Sequence, residues 1–316
     1  MGKINDALKK IEEERSKIKK SINKESTLET EQNNGSSEFQ KFDEDISITK
    51  TSDKIKSIPK LKILNILKPD DSSGVDPRVV TYYDYSSPIS EQYRMLRSNV
   101  KSYFKNRTKT AKITMSKPSS GPKIFTISSS LKGEGKTVTS VNLAIALAKD
   151  LDTKVLLIDA DLRNGCVHKL LNVNNKPGLS DILTNKYDYS VGVHPTQIRN
   201  LYVIPRGETQ EHPSELLGSK KMNMILEQIK NESLDYVIID TPPVVHFTDA
   251  SIIGAKTSGI LFVVQSQKTQ TQVINRARDV MNRTHTKLLG FVLTQTEHYV
   301  DNFYGYYNYY GKKKNN

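Results

Sequence analysis

Tryptophan is absent from this sequence and cysteine occurs once, at Cys166. A single cysteine excludes a disulfide framework and any thiolate cluster for zinc or iron–sulfur, and a reducing compartment fits. No stretch approaches the ~18 consecutive apolar residues of a membrane-spanning helix, so the chain is not expected to cross a bilayer by itself. The N-terminal MGKINDALKKIEEER lacks the apolar run of a signal peptide. Apolar residues make up only 36%, below the usual globular share, so part of the chain is expected to build no core. Acidic residues are the scarcer charge, 35 against 47 Lys and Arg, which leaves a formal +12. Nucleic acid, an anionic membrane surface or an acidic partner would each exploit that excess. No DNA-reading motif accompanies it, so no nucleic-acid partner is expected.

What is present falls into four stretches. Ile4, Ala7, Leu8 and Ile11 stand at helical spacing, continued loosely by Ile18 and Ile22. Residues 1–22 therefore read as an amphipathic helical segment, either a marginal solvated helix or one that docks on a partner or a membrane surface. Residues 23–87 read as a polar linker, largely disordered, rich in Ser, Thr, Glu and Lys. From Lys123 the texture changes to short apolar, β-branched runs: KIFTISS, KVLLIDA, LYVIP, YVIID, GILFVVQS and KLLGFVLTQ. Helical patterns lie between them, at 136–150, 213–231, about 248–256 and 269–284. Continuous apolar strands alternating with helices predict an α/β domain over 88–295, a parallel sheet with helices on both faces. Residues 296–316 form a tail.

The first strand runs into Ser130-Leu-Lys-Gly-Glu-Gly-Lys-Thr137. This nearly matches the phosphate-loop pattern G-x-x-x-x-G-K-[ST], with Ser130 in place of the first glycine. Gly133 and Gly135 let backbone N–H groups turn in around phosphate oxygens, and the helix that follows adds its positive end. Gly133, Glu134, Gly135, Lys136, Thr137 and Val138 are the expected nucleotide-contacting stretch. Lys136 is placed to reach the β- and γ-phosphates, and the Thr137 hydroxyl to bind Mg²⁺. Asp159 and Asp161 end the second strand, two residues apart, so both would share one face if the strand continued. Asp240 ends a later strand. Carboxylates at strand ends beside a phosphate loop suit Mg²⁺, which takes one or two of them with water and phosphate oxygens. The expected ligands are ATP and Mg²⁺.

Six of the fifteen tyrosines, Tyr299, Tyr304, Tyr306, Tyr307, Tyr309 and Tyr310, crowd the end of the chain, followed by Lys312 to Lys314. The stretch has neither strand alternation nor a helical stripe, and reads as a flexible tail of exposed phenols.

In these residues the sequence resembles the bacterial tyrosine kinases, which belong with the partition and septum-site ATPases to the deviant-Walker group of P-loop NTPases. The resemblance covers about 88–310. It rests on GEGKT, LLIDADLR, VIIDTPP, GLSDIL at 178–183, HPSELL at 212–217 and the terminal tyrosines. The partition ATPases carry a signature lysine where Leu131 stands, and Lys132 is one place off. A further match is EQYRMLR, in which Glu91, Arg94 and Arg97 share one side of a helix. The resemblance implies that these three hold subunits in a ring, and that the tail of one subunit enters the site of its neighbour. It also implies Asp159 as the carboxylate that takes the acceptor's proton, with Asp161 and Asp240 holding Mg²⁺ and Lys136 offsetting charge on the transferring group. The start MGKINDALKK resembles autokinases of exopolysaccharide export. The implied setting is the cytoplasm, peripherally at the inner face of the plasma membrane through a partner. Implied partners are a membrane activator of the polysaccharide co-polymerase type and a protein-tyrosine phosphatase. Two other readings use the same residues: a nucleotide-switch ATPase with water as acceptor, and a scaffold with a dead site.

Overall fold

The computed structural model describes residues 73–113 and 121–296, with 107–113 as backbone only. The elements are α1 (Val80–Tyr83), α2 (Pro88–Ile113), β1 (Lys123–Ser129), α3 (Lys136–Ala148), β2 (Val155–Asp159), α4 (Val167–Leu171) and α5 (Leu179–Leu183). After a 3₁₀ turn at Tyr189–Gly192 come β3 (His194–Pro195), β4 (Leu201–Ile204), α6 (Pro213–Gly218), α7 (Lys220–Lys230) and β5 (Tyr236–Asp240). The described chain closes with α8 (Asp249–Ala255), β6 (Ile260–Gln265), α9 (Thr271–Arg283) and β7 (Leu288–Thr294).

The sheet runs β3-β4-β2-β5-β1-β6-β7. All neighbours are parallel except β3, a two-residue edge antiparallel to β4. Alternation along each strand sorts side chains onto two covered faces. Phe125, Ile127, Val155, Leu157 and Ile238 meet α3 and α4 on one face. Ile124, Leu156, Ile158, Val237 and Ile239 meet α5 and α7 on the other. Ile260, Phe262 and Val264 receive Ala277 and Met281 of α9. α3 is apolar nearly all round, as a helix buried between sheet and α2 must be. β7 is the opposite edge and leaves Phe291 and Leu293 exposed.

The helical pattern expected as one run at 213–231 is two helices. Ser219 adopts an extended conformation, and its side chain accepts the Met222 amide at 3.2 Å, which caps α7. Met222, Ile225, Leu226 and Ile229 then form its buried stripe.

The boundary expected at residue 88 is too late. Val75 and Val79 are buried in the main core. Asn142 of α3 accepts the Thr81 amide at 3.0 Å and donates to the Arg78 carbonyl at 3.0 Å. Core packing and these hydrogen bonds to one buried amide side chain hold a stretch expected to belong to the linker. The segment 1–22 and the terminal tyrosines lie outside the described residues. Among the described residues no helix is long and apolar enough to cross a membrane.

Candidate active site

β1 lies between β5 and β6, and the chain leaves it for β2 on one side while β6 lies on the other. Open parallel sheets bind ligands at the carboxyl ends of their strands where the order reverses in this way. The loop after β1 and the ends of β2 and β5 all meet there.

Gly133 and Gly135 both take φ of +91°, a conformation that disfavours side chains. A Cβ on Gly133 would meet no atom within 4 Å, so the loop is open on that side. Glu134, expected among the nucleotide contacts, turns its carboxylate into the loop instead. It accepts the Leu131 amide at 2.7 Å and the Thr269 hydroxyl, while its carbonyl accepts the Thr294 hydroxyl at 2.7 Å. Its side chain therefore fixes the loop. Nothing in the sequence pattern points to Thr269 or Thr294. Their role exists only because β6 and β7 end beside the loop.

Below the loop sits a charged constellation. Lys136 Nζ lies 2.9 Å from Asp161 Oδ2 and 3.6 Å from Asp240 Oδ2. Asp240 is wholly buried and accepts from the Thr137 hydroxyl at 2.8 Å and from Ser140 Oγ at 2.8 Å. β2 stops at Asp159, so the strand does not continue through Asp161, and the two carboxylates do not share a strand face. Asp159 Oδ1 accepts the Asp161 amide at 3.2 Å, and Oδ2 accepts the Val167 amide at 3.1 Å. A Cβ on Gly165 would collide with the Asp159 carboxylate, so only glycine lets the backbone pass so close.

Electrostatics follow from burial. Asp159 is completely buried, and that desolvation, with the nearby Asp240 charge, pushes its pKa up to about 8 against the pull of Lys136. Asp240 is raised by burial, opposed by Lys136 and by the Thr137 and Ser140 hydroxyls. Burial disfavours charge on Lys136, but Asp240, Asp161 and Asp159 outweigh it and hold the ammonium above its ordinary value. One ammonium thus faces three carboxylates, an excess of acid that a divalent cation would neutralise. Among the described residues no three His, Cys, Asp or Glu side chains form a metal cage by themselves. Thr137 Oγ1 and the Asp161 and Asp240 carboxylates are the oxygen donors that fit such a cation.

Two further motifs converge on this edge. Arg163, two residues past Asp161, donates to Asp249 at 3.1 Å and to Ser214 Oγ at 3.0 Å, with its guanidinium 4.4 Å from the Phe247 ring centroid. DADLR and HPSELL are thereby tied to the start of α8. GLSDIL has a structural role: Asp181 accepts the Gly178 amide at 2.9 Å, and Leu179, Ile182 and Leu183 are buried. Glu91, Arg94 and Arg97 lie elsewhere, on α2. Arg94 pairs with Glu91, and Arg97 donates to the Ala146 carbonyl at 3.2 Å and to Tyr85 Oη at 3.1 Å.

A ParA-family model, described as NUBPL iron-transfer P-loop NTPase, matches residues 122–315, more than half of the chain. Fold and site together define a P-loop NTPase of this class. The chain is 32% identical over 227 residues to the putative tyrosine-protein kinase CapB of Staphylococcus aureus, covering 72% of this chain and 92% of that protein. It is 38% identical over 174 residues to tyrosine-protein kinase ptk of Acinetobacter johnsonii, covering 55% of this chain but only 24% of ptk. The solved structure of the chimerical protein CapA2B2 matches with a TM-score of 0.60 at 31% identity, covering 69% of this chain and 89% of that one. Within the P-loop NTPases, the chain belongs to the bacterial tyrosine-protein kinase family.

Proposed function

We propose that this protein is an ATP-dependent protein-tyrosine autokinase that modifies its own C-terminal tyrosines, Tyr299, Tyr304, Tyr306, Tyr307, Tyr309 and Tyr310, between subunits. The observation that carries the reading is the meeting of Lys136, Thr137, Asp159, Asp161 and Asp240 beneath an open phosphate loop. An acceptor phenol has a pKa of about 10 and arrives protonated. Its oxygen attacks the γ-phosphorus of ATP, the bond to the bridging oxygen of ADP breaks, and the phenol proton passes to Asp159. A carboxylate beside the attacking oxygen suits that task, because it orients the phenol and takes its proton as the new bond forms. Lys136 leaves its carboxylate partners to offset charge on the transferring group. Bound Mg²⁺, held by Thr137, Asp161 and Asp240, would neutralise charge on the phosphates.

Glu91, Arg94 and Arg97 are proposed to join subunits in a ring, so that one tail enters its neighbour's site. Each phosphotyrosine adds about −1.5 to −2 charges. Accumulating phosphate then repels the tail from the acidic site and loosens the assembly. A membrane activator of the co-polymerase type, a tyrosine phosphatase, a place at the inner face of the plasma membrane and a role in exopolysaccharide or capsule export complete the proposal. The switch-ATPase reading loses support at Leu131, where its signature cation would stand.

Incubation with Mg²⁺ and ATP followed by phosphotyrosine detection tests the kinase reading. Wild-type protein is expected to become phosphorylated. Lys136→Met, which keeps the glycine-shaped cradle but removes its cation, is expected to lose about two orders of magnitude in rate. Undiminished phosphotyrosine in that variant would remove the site from the reaction.

A further inference from the structure

Four tyrosines lie between residues 82 and 93, and they are not alike. Tyr82 and Tyr83 pack their rings against the main core. Tyr93 is half-buried, with its hydroxyl hydrogen-bonded to Thr139 of α3, and burial raises its pKa. Tyr85 is half-buried as well, on the turn between α1 and α2, but three cations surround its ring and hydroxyl. The Arg94 guanidinium lies 5.1 Å from the ring centroid and Lys149 Nζ 4.5 Å from it, while Arg97 Nη1 donates to the hydroxyl at 3.1 Å.

A neutral phenol does not balance that charge. Arg94 pairs with Glu91, and Asp150 with Lys101. Among the described residues no carboxylate lies within 4.0 Å of Arg97 or Lys149. Arg97, which donates to the phenol oxygen and to the Ala146 carbonyl, and Lys149, which lies over the ring and donates to the Thr81 carbonyl at 2.7 Å, thus have only neutral hydrogen-bond acceptors. A phosphoryl group on a tyrosine carries about −1.5 to −2 at neutral pH, with three strong acceptor oxygens. Charge-assisted hydrogen bonds from a guanidinium are the strong kind.

We propose that Tyr85 is a second phosphoryl acceptor, and that Arg94, Arg97 and Lys149 form the niche that receives its phosphate. This rests on the kinase reading above. The Tyr85 phenol oxygen forms the new bond to the γ-phosphorus, the bridging bond to ADP breaks, and the phenol proton goes to Asp159 of the acting site. The acting site belongs to another copy of the chain. Tyr85 contacts the far end of α3, through Lys149 and through Arg97 on Ala146, whereas Lys136 opens the near end. Ten residues of helix between Lys136 and Ala146 put about 15 Å of rigid rod between the phenol and its own phosphate loop.

Peptide mass spectrometry after incubation with Mg²⁺ and ATP tests this, using a variant in which the six tail tyrosines are Phe. Phosphate is expected on Tyr85 and absent from Tyr82, Tyr83 and Tyr93, and it disappears when Lys136→Met is added. Added tyrosine phosphatase is expected to remove it several-fold more slowly than it removes phosphate from the wild-type tail, and Lys149→Gln is expected to erase that protection. A phosphorylated tail in wild type with unmodified Tyr85 in both proteins would overturn the proposal and leave the kinase reading standing. No phosphotyrosine anywhere would overturn both. Phosphate on Tyr85 removed as fast as from the tail, with or without Lys149, would overturn the niche.

Discussion

At the scale of single residues, Asp159 is a carboxyl removed from water altogether. Burial first, and the Asp240 charge second, lift its pKa from the ordinary 3.8 to about 8 in the metal-free protein. A carboxyl raised in this way stabilises the fold fully below its unfolded pKa, and loses that contribution as pH rises through the folded one. The metal-free protein is therefore expected to melt lower at pH 8 than at pH 5. Asp159→Asn, which cannot titrate, is expected to flatten this part of the curve. Calorimetry in EDTA checks the sign, and parallel curves for the two proteins would mean that the carboxyl is solvated. The three aspartates are legible in the sequence because each follows an apolar strand. Ser140 and Gly165 are not. Ser140 matters through one hydrogen bond to Asp240 across the sheet, and Gly165 through the close passage of its backbone past Asp159. Both depend on where a neighbouring element comes to rest.

At the scale of elements, the phosphate loop is held from outside as well as by its own glycines. Thr294, the last residue of β7, donates to the Glu134 carbonyl at 2.7 Å, and Thr269, between β6 and α9, donates to the Glu134 carboxylate. Thr294→Val keeps the shape and removes the donor. One hydrogen bond contributes about 1 kcal/mol net, so the KM for ATP is expected to rise about five-fold, with kcat nearly unchanged. Steady-state kinetics at saturating acceptor separate the two constants. An unchanged KM would mean that Gly133 and Gly135 alone set the loop. The strands of this edge are readable as apolar runs, and the helices between them as periodic ones. Two residues of β3 are too few to show any period. The break at Ser219 carries a short sequence signal, Gly218 ending one helix and Ser219 capping the next, which the apolar period running across 213–231 masks.

At the scale of the molecule, alternating strands and helices announce a parallel sheet covered on both faces, and the central place of β1 follows from strand order, which no local pattern encodes. The early boundary has the same origin. VDPRVVTYYDYSS, expected to belong to the linker, carries three valines and three tyrosines, and Val75 and Val79 enter the core while Asn142 bonds the backbone of Thr81 and Arg78. The proposed transfer between copies also belongs to this scale, and a mixing experiment tests it most directly. One chain carries Lys136→Met and an intact tail, so it can accept but not transfer. The other carries six Phe in place of the tail tyrosines and an intact site, so it can transfer but has no tail to accept. Incubated together with Mg²⁺ and ATP, and resolved by mass, the pair is expected to show phosphotyrosine on the tail of the Lys136→Met chain. That chain alone is expected to stay unmodified. A tail that remains unphosphorylated in the mixture, while wild-type protein modifies its own tail at a rate independent of concentration, would contradict transfer between subunits.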